Sequence, residues 1–156
     1  MLKEGDKAPD FTLSDRNGEK VSLKDFKGQW VVVYFYPKAD TPGCTTEACD
    51  FTASVDEFTT NNATVLGISN DPEAKIGKFI DKHDLKITLL SDPEHRVIEK
   101  YGVWVSKKMY GKEYMGTQRS TFLINPEGKI ENIWDKVKVQ GHVEEVKDLL
   151  IELNIN

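Results

Sequence analysis

The sequence predicts an α/β domain of three layers. Three observations lead there. Trp30-Val31-Val32-Val33-Tyr34-Phe35-Tyr36 is an almost unbroken apolar run, the pattern of a central strand covered on both faces. Apolar runs of strand length alternate along the chain with segments whose apolar residues recur every three or four positions. Asp-Pro stands twice, at 71–72 and 92–93, where such a segment opens. The 156 residues fit one domain, 1–156, large enough to bury a core without staples.

The elements follow in order. Phe11-Thr12-Leu13 and Lys20-Val21-Ser22-Leu23 flank Asn17-Gly18, which reads as an N-terminal hairpin. Trp30 to Tyr36 is the central strand. The helix after it carries its apolar stripe at Ala48, Phe51, Val55 and Phe58. Ala63 to Ser69 is the next strand. Asp71 then caps, and Pro72 opens, a helix carrying Ile76, Phe79 and Ile80. Ile87-Thr88-Leu89-Leu90 is a strand, and Asp92-Pro93 repeats the helix-start device before Val97, Ile98 and Tyr101. Residues 104–115 are unusually aromatic and Met-rich and could wall a functional pocket or meet a partner, but they read better as a partly packed long loop with a basic, solvated tip. Thr121–Ile124 and Lys129–Trp134 flank the turn Asn125-Pro126-Glu127-Gly128, a second hairpin. A last helix places Val143, Val146, Leu150 and Leu153 on one face, with Glu144 and Glu145 suiting its dipole. A βαβ unit followed later by a ββα unit is the thioredoxin-like order: a central mixed sheet flanked by helices, with an N-terminal β-hairpin. Period and turn signals alone leave a flavodoxin-like order open.

Composition excludes more than it assigns. Hydrophobic content of 38% and charged content of 30% describe an ordinary soluble protein, and the net charge of −5 argues against nucleic acid or an anionic membrane as partner. No apolar run approaches a transmembrane length, and the first residues show no signal-peptide core. The expected location is therefore cytoplasmic, where disulfides are usually transient and catalytic.

Against that background the two cysteines stand out. Cys44 and Cys49 follow the central strand within Pro37-Lys38-Ala39-Asp40-Thr41-Pro42-Gly43-Cys44. The strand ends at a proline, a tight turn follows, and a helix opens at or next to Cys44. A helix N-terminus stabilises negative charge, so a thiol there loses its proton more readily, and thiolate is the nucleophile. Cys44 falls on the apolar stripe at four- and three-residue steps, so it should face the sheet. Cys49 lies about 140° further round the helix and about 8.6 Å away between Cα atoms. That exceeds the ~7 Å limit for a disulfide, so both can be helical only while reduced. Thr41 could accept from and donate to a bound oxygen, Gly43 lets backbone N–H groups approach closely, and Pro37 and Pro42 stiffen the loop. A cation is still needed to hold the thiolate. Arg119, at the start of a core strand, is better placed than Arg16 or Arg96. The plain alternative is that both cysteines are small core residues; the turn chemistry before Cys44 argues against it.

Pro37-x-x-x-Thr41-x-x-Cys44 resembles the active-site signature of the peroxiredoxins. The string from Phe35 to Thr45, with a second cysteine five residues on, resembles their bacterioferritin comigratory protein / peroxiredoxin Q branch. Ala8-Pro9-Asp10-Phe11-Thr12-Leu13, Gly67-Ile68-Ser69, Leu90-Ser91-Asp92, Tyr101-Gly102-Val103 and 119–124 match in order, so the likeness runs through most of the chain. It implies a thioredoxin-like fold and thiol-dependent reduction of hydrogen peroxide and organic hydroperoxides, with no metal or other cofactor. Cys44 matches the peroxidatic cysteine and Cys49 the resolving one. Thr41 matches the hydroxyl that bonds peroxide, Arg119 the arginine that holds the thiolate, and Pro37 the proline that shields the pocket. Thioredoxin or a related dithiol protein is the implied reductant, and a monomer the implied state.

Two competing functions are weaker. A protein thiol–disulfide oxidoreductase normally uses Cys-x-x-Cys. A thioredoxin-like copper-binding protein would want closely spaced thiolates plus a histidine, but His83, His95 and His142 lack such spacing and read as solvated. A redox-sensor role shares the chemistry and stays open beside the peroxidase.

Overall fold

The computed structural model describes residues 1–155. Its strands are β1 (Thr12–Ser14), β2 (Lys20–Ser22), β3 (Trp30–Phe35), β4 (Ala63–Ser69), β5 (Thr88–Ser91), β6 (Trp104–Met109), β7 (Lys112–Thr117), β8 (Ser120–Ile124) and β9 (Ile130–Trp134). Its helices are α1 (Pro42–Ala53), α2 (Val55–Thr60), α3 (Glu73–His83), α4 (Arg96–Lys100) and α5 (His142–Ile155), with a short 3₁₀ turn at Leu23–Phe26. Seven strands form one mixed sheet in the order β2-β1-β5-β4-β3-β8-β9. β3 pairs parallel with β4 and antiparallel with β8. The antiparallel β8 beside β3 gives the thioredoxin-like arrangement and removes the flavodoxin-like one, whose sheet is parallel throughout.

The apolar run of β3 explains its central place. Successive side chains point to opposite faces. Val32, Tyr34 and Tyr36 enter one core with Phe51 of α1, Phe58 of α2, Ile76 and Phe79 of α3, and Val146 and Leu150 of α5. Val31, Val33 and Phe35 enter the other, with Phe11, Leu13, Val97, Ile98 and Tyr101. Both sets are at most 2% exposed on β3 itself, as a strand covered on both faces requires.

Four expectations need correction. The helix after Cys44 does not run unbroken to Phe58; it breaks at Ser54, whose φ of −104° and ψ of 5° leave the helical range, while the apolar stripe continues into α2. Asp71 does not cap α3. Pro72 takes that place, and the Asp71 carboxylate turns to the Ala39 N–H at 2.7 Å and the Ser69 hydroxyl at 2.9 Å. Likewise α4 opens only after His95, although Asp92 still accepts an N–H, that of Ile98, at 2.9 Å. Residues 104–117 are not a loop but the antiparallel hairpin β6-β7, a separate two-stranded sheet. Its turn, Tyr110-Gly111, has φ of 52° and 78°, the twist that suits a two-residue hairpin.

Candidate active site

β3 delivers the chain to the C-terminal edge of the sheet, where a tight loop reverses it into α1. Thr41 is the N-cap, Pro42 the first helical residue and Cys44 the third. The Thr41 carbonyl accepts the Thr45 N–H at 2.8 Å, the first bond of the helix. Pro42 has no N–H, so Gly43 and Cys44 supply the first-turn amides that helical geometry leaves without an intrahelical partner. Their partial positive charge gathers beside the Cys44 sulfur. That sulfur is sheltered: Cys44 is 1% exposed.

Arg119 arrives from the other side. It sits between β7 and β8, and three bonds fix the segment: Gln118 N–H to Val103 O at 2.7 Å, Val137 N–H to Arg119 O at 2.9 Å, and Lys107 Nζ to Thr117 O at 2.6 Å. Its guanidinium then forks. Nη2 lies 3.5 Å from Cys44 Sγ, and Nη1 donates to Glu47 Oε1 at 2.7 Å. Burial works against charge on Arg119, but Cys44 and Glu47 outweigh it and raise its pKa. Gly43 eases the approach, since a Cβ there would stand a tight 3.1 Å from Nη2.

Glu47 was not singled out from the sequence, although it lies one turn beyond Cys44 in the same helix. It is fully buried, and burial pushes its carboxyl up to about 7 in spite of the Arg119 charge. Its second oxygen has no hydrogen-bond partner among the described residues, nor have the hydroxyls of Tyr34 and Tyr36. An acidic residue at i+3 from a helix-start cysteine, on the face turned to the sheet, is the signal that could have found it.

Pro37 and Thr41 flank the cysteine. The Thr41 hydroxyl donates to Lys38 O at 2.7 Å, so its oxygen is left as an acceptor. Beside Pro37 opens a cavity of about 270 Å³, lined also by Lys107, Tyr114, Met115 and Thr117. The sequence offers this segment as a possible pocket wall and favours a solvated loop instead; the hairpin brings Lys107, Tyr114 and Met115 to the cavity beside Pro37. Cys49 is half-buried further along α1; both thiols are free and the helix between them is intact. Arg16 and Arg96 lie elsewhere, paired with Asp81 at 2.6 Å and Glu94 at 2.6 Å.

The histidines divide. His83 and His95 are partly exposed and contact Asp40 and Glu99. His142 is not solvated as expected. It is buried, its Nε2 lies 2.8 Å from Thr121 Oγ1, and burial lowers its pKa to about 4. Its position at the start of α5 turns it inward against Phe51 and Trp134.

The chain has clear relatives among known proteins. The AhpC/TSA family profile matches residues 4–133. The chain is 51% identical to peroxiredoxin Bcp of Bacillus subtilis, over 98% of each chain. It is 49% identical to peroxiredoxin Bcp of Escherichia coli K12, over 97% of each. A solved structure of the Xanthomonas campestris bacterioferritin comigratory protein, whose alkyl peroxide reduction activity has been described, superposes with a TM-score of 0.90. Identity there is 38%, over 99% of this chain and 98% of that one.

Proposed function

Because the chain belongs to the AhpC/TSA family, we propose that it is a thiol peroxidase whose peroxidatic residue is Cys44 and whose resolving residue is Cys49. One observation carries the residue assignment. A sheltered cysteine at the third position of α1 meets an arginine at 3.5 Å that is itself oriented by a buried carboxylate.

The chemistry follows from that placement. The Cys44 thiolate attacks the terminal oxygen of a hydroperoxide. An S–O bond forms, the O–O bond breaks, and its electron pair departs as alkoxide or hydroxide, which takes a proton and leaves as alcohol or water. Charge moves from sulfur to oxygen, and the groups that meet it are already in place: the Arg119 guanidinium and the Gly43 and Cys44 amides. Thr41, with only its acceptor side open, suits the O–H of the incoming hydroperoxide. Pro37 walls the approach. Cys44 is left as a sulfenic acid. Cys49 then attacks that sulfur, hydroxide leaves and is protonated to water, and a 44–49 disulfide forms. Two helical residues five apart lie about 8.6 Å apart, so the start of α1 must unwind first. A dithiol protein of the thioredoxin type restores both thiols by exchange.

The reading takes residues 1–156 as one catalytic unit. It takes a monomer, since an intrachain resolving thiol needs no second subunit, and a cytoplasmic setting that supplies dithiol reductant. No described helix is long and apolar enough to cross a membrane. Variants test the assignment. Cys44→Ser should abolish peroxide turnover, and Cys49→Ser should complete one round and stop with one oxygen added to the protein. Normal multiple turnover by Cys44→Ser contradicts it.

A further inference from the structure

The loop that frames Cys44 is pinned to the neighbouring βα unit at two points. Inside, Asp71, two residues past β4, accepts the Ala39 N–H at 2.7 Å. Outside, the Asp40 carboxylate reaches α3: Oδ2 lies 2.9 Å from Lys82 Nζ and Oδ1 2.9 Å from His83 Nε2. Asp40 is held with φ of 61°, a conformation that costs a non-glycine residue energy and persists only under external constraint. Its partners stand on firm ground. They close the last turn of α3, and the His83 ring packs edge-on against the buried Phe79.

The two ends of α1 are therefore secured differently. Its C-terminal half is fixed by the fully buried Phe51 and by Thr52, whose hydroxyl oxygen accepts the Lys86 N–H at 3.2 Å. Its N-terminal end is held inside by Arg119 on Cys44 and Glu47, and outside, through the preceding loop, only by this exposed ion pair. Local opening starts where fastening is weakest, and opening from the N-terminal end is the motion that brings Cys44 to Cys49.

We propose that Asp40 is a positioning residue for the resolving step: its contacts with Lys82 and His83 latch the 37–41 loop closed and hold down the rate at which α1 unwinds. The latch rests on the peroxidase reading above and adds a determinant of how long the Cys44 sulfenic acid persists. A longer life exposes it to a second peroxide, which converts it to sulfinic acid. The latch thus tunes the balance between disulfide formation and over-oxidation. The peroxide step itself does not depend on it, because Asp71 still holds the inner side of the loop.

The experiment mixes the reduced full chain with hydrogen peroxide and resolves two rates by quenched intact-mass analysis: gain of one oxygen, then its loss as water on disulfide formation. Asp40→Asn should speed the second step by about two- to five-fold, the scale of an exposed ion pair, and lower the sulfinic fraction at high peroxide. The first step should stay unchanged. Lys82→Ala should speed the second step, and the double variant should match Asp40→Asn alone, since Lys82 acts in the latch only through the Asp40 charge. High salt should speed resolution in the wild type and leave Asp40→Asn unaffected, a response that a merely structural role would not give. An unchanged second step in Asp40→Asn, additive variants, or a collapse of the first step each overturns the latch. Failure of the peroxidase reading looks different: the wild type gains no oxygen at all, and the latch falls with it.

Discussion

Arg119 and Glu47 form a buried ion pair whose two members have unequal tasks. The guanidinium faces sulfur with one nitrogen and the carboxylate with another. Removing a preorganised donor of this kind typically costs about a hundred-fold or more in the chemical step. Arg119→Ala should therefore slow the second-order peroxide reaction by about that factor while its far-ultraviolet circular dichroism stays native; an unchanged rate constant would remove Arg119 from the mechanism. Glu47 carries a stability signature. Its folded pKa of about 7 lies above the ordinary 4.5, so the folded state binds its proton more tightly. The contribution is fully present below about pH 4.5 and is lost as pH rises through 7. His142 has the opposite sign: its pKa falls from 6.5 to about 4, so its contribution is present above 6.5 and lost as pH falls towards 4. Urea unfolding across pH 4–8 should show wild-type stability decline relative to Glu47→Gln as pH rises through 7. Curves that stay parallel would mean the carboxyl is not perturbed. None of this was legible from Glu47 or His142 as letters. Burial shifts both, and burial is set by tertiary packing. The meeting of Cys44 with Arg119 was legible, because Cys44 lies on a continuous loop-to-helix motif and Arg119 directly precedes a recognisable strand.

At the scale of elements, α1 performs two jobs that conflict. Intact, it gathers first-turn amides and Arg119 around Cys44. Intact, it also keeps Cys49 out of bonding range, which the five-residue spacing alone foretold. The break at Ser54 and the β6-β7 hairpin were not foretold. Apolar periodicity runs straight through Ser54, so the stripe predicts one helix where backbone geometry makes two. The hairpin carries no alternation of buried and exposed residues for sequence reading to detect: most of β7 is exposed, with Tyr114 and Met115 among its exposed apolar residues. The sheet also sets a tight constraint at Gly67. A Cβ there would meet Leu89 Cδ2 at 2.6 Å and the Tyr34 ring at 2.8 Å. Gly67→Ala should cost about 1–3 kcal/mol in chemical denaturation, the usual range for overpacking. A neutral substitution would mean that Tyr34 and Leu89 yield freely.

Over the whole molecule, the sheet divides labour between its two faces. One core packs α1, α2, α3 and α5 against Val32, Tyr34 and Tyr36; the other holds the N-terminal segment and α4. The helix α1 belongs to the first, with Cys44 and Ala48 from its first half and Phe51 from its second all buried there. The alternation of strands and helices made this architecture legible in outline, and the antiparallel β8 settled which α/β order it is. The most direct test mixes reduced protein with one equivalent of hydrogen peroxide and follows free thiols and intact mass together. Rapid loss of both thiols, with a mass decrease of about two hydrogens as a disulfide requires, is the expected result. Thiols that persist as long as those of an ordinary free cysteine would contradict the account, for the site would then not be built to reduce peroxide.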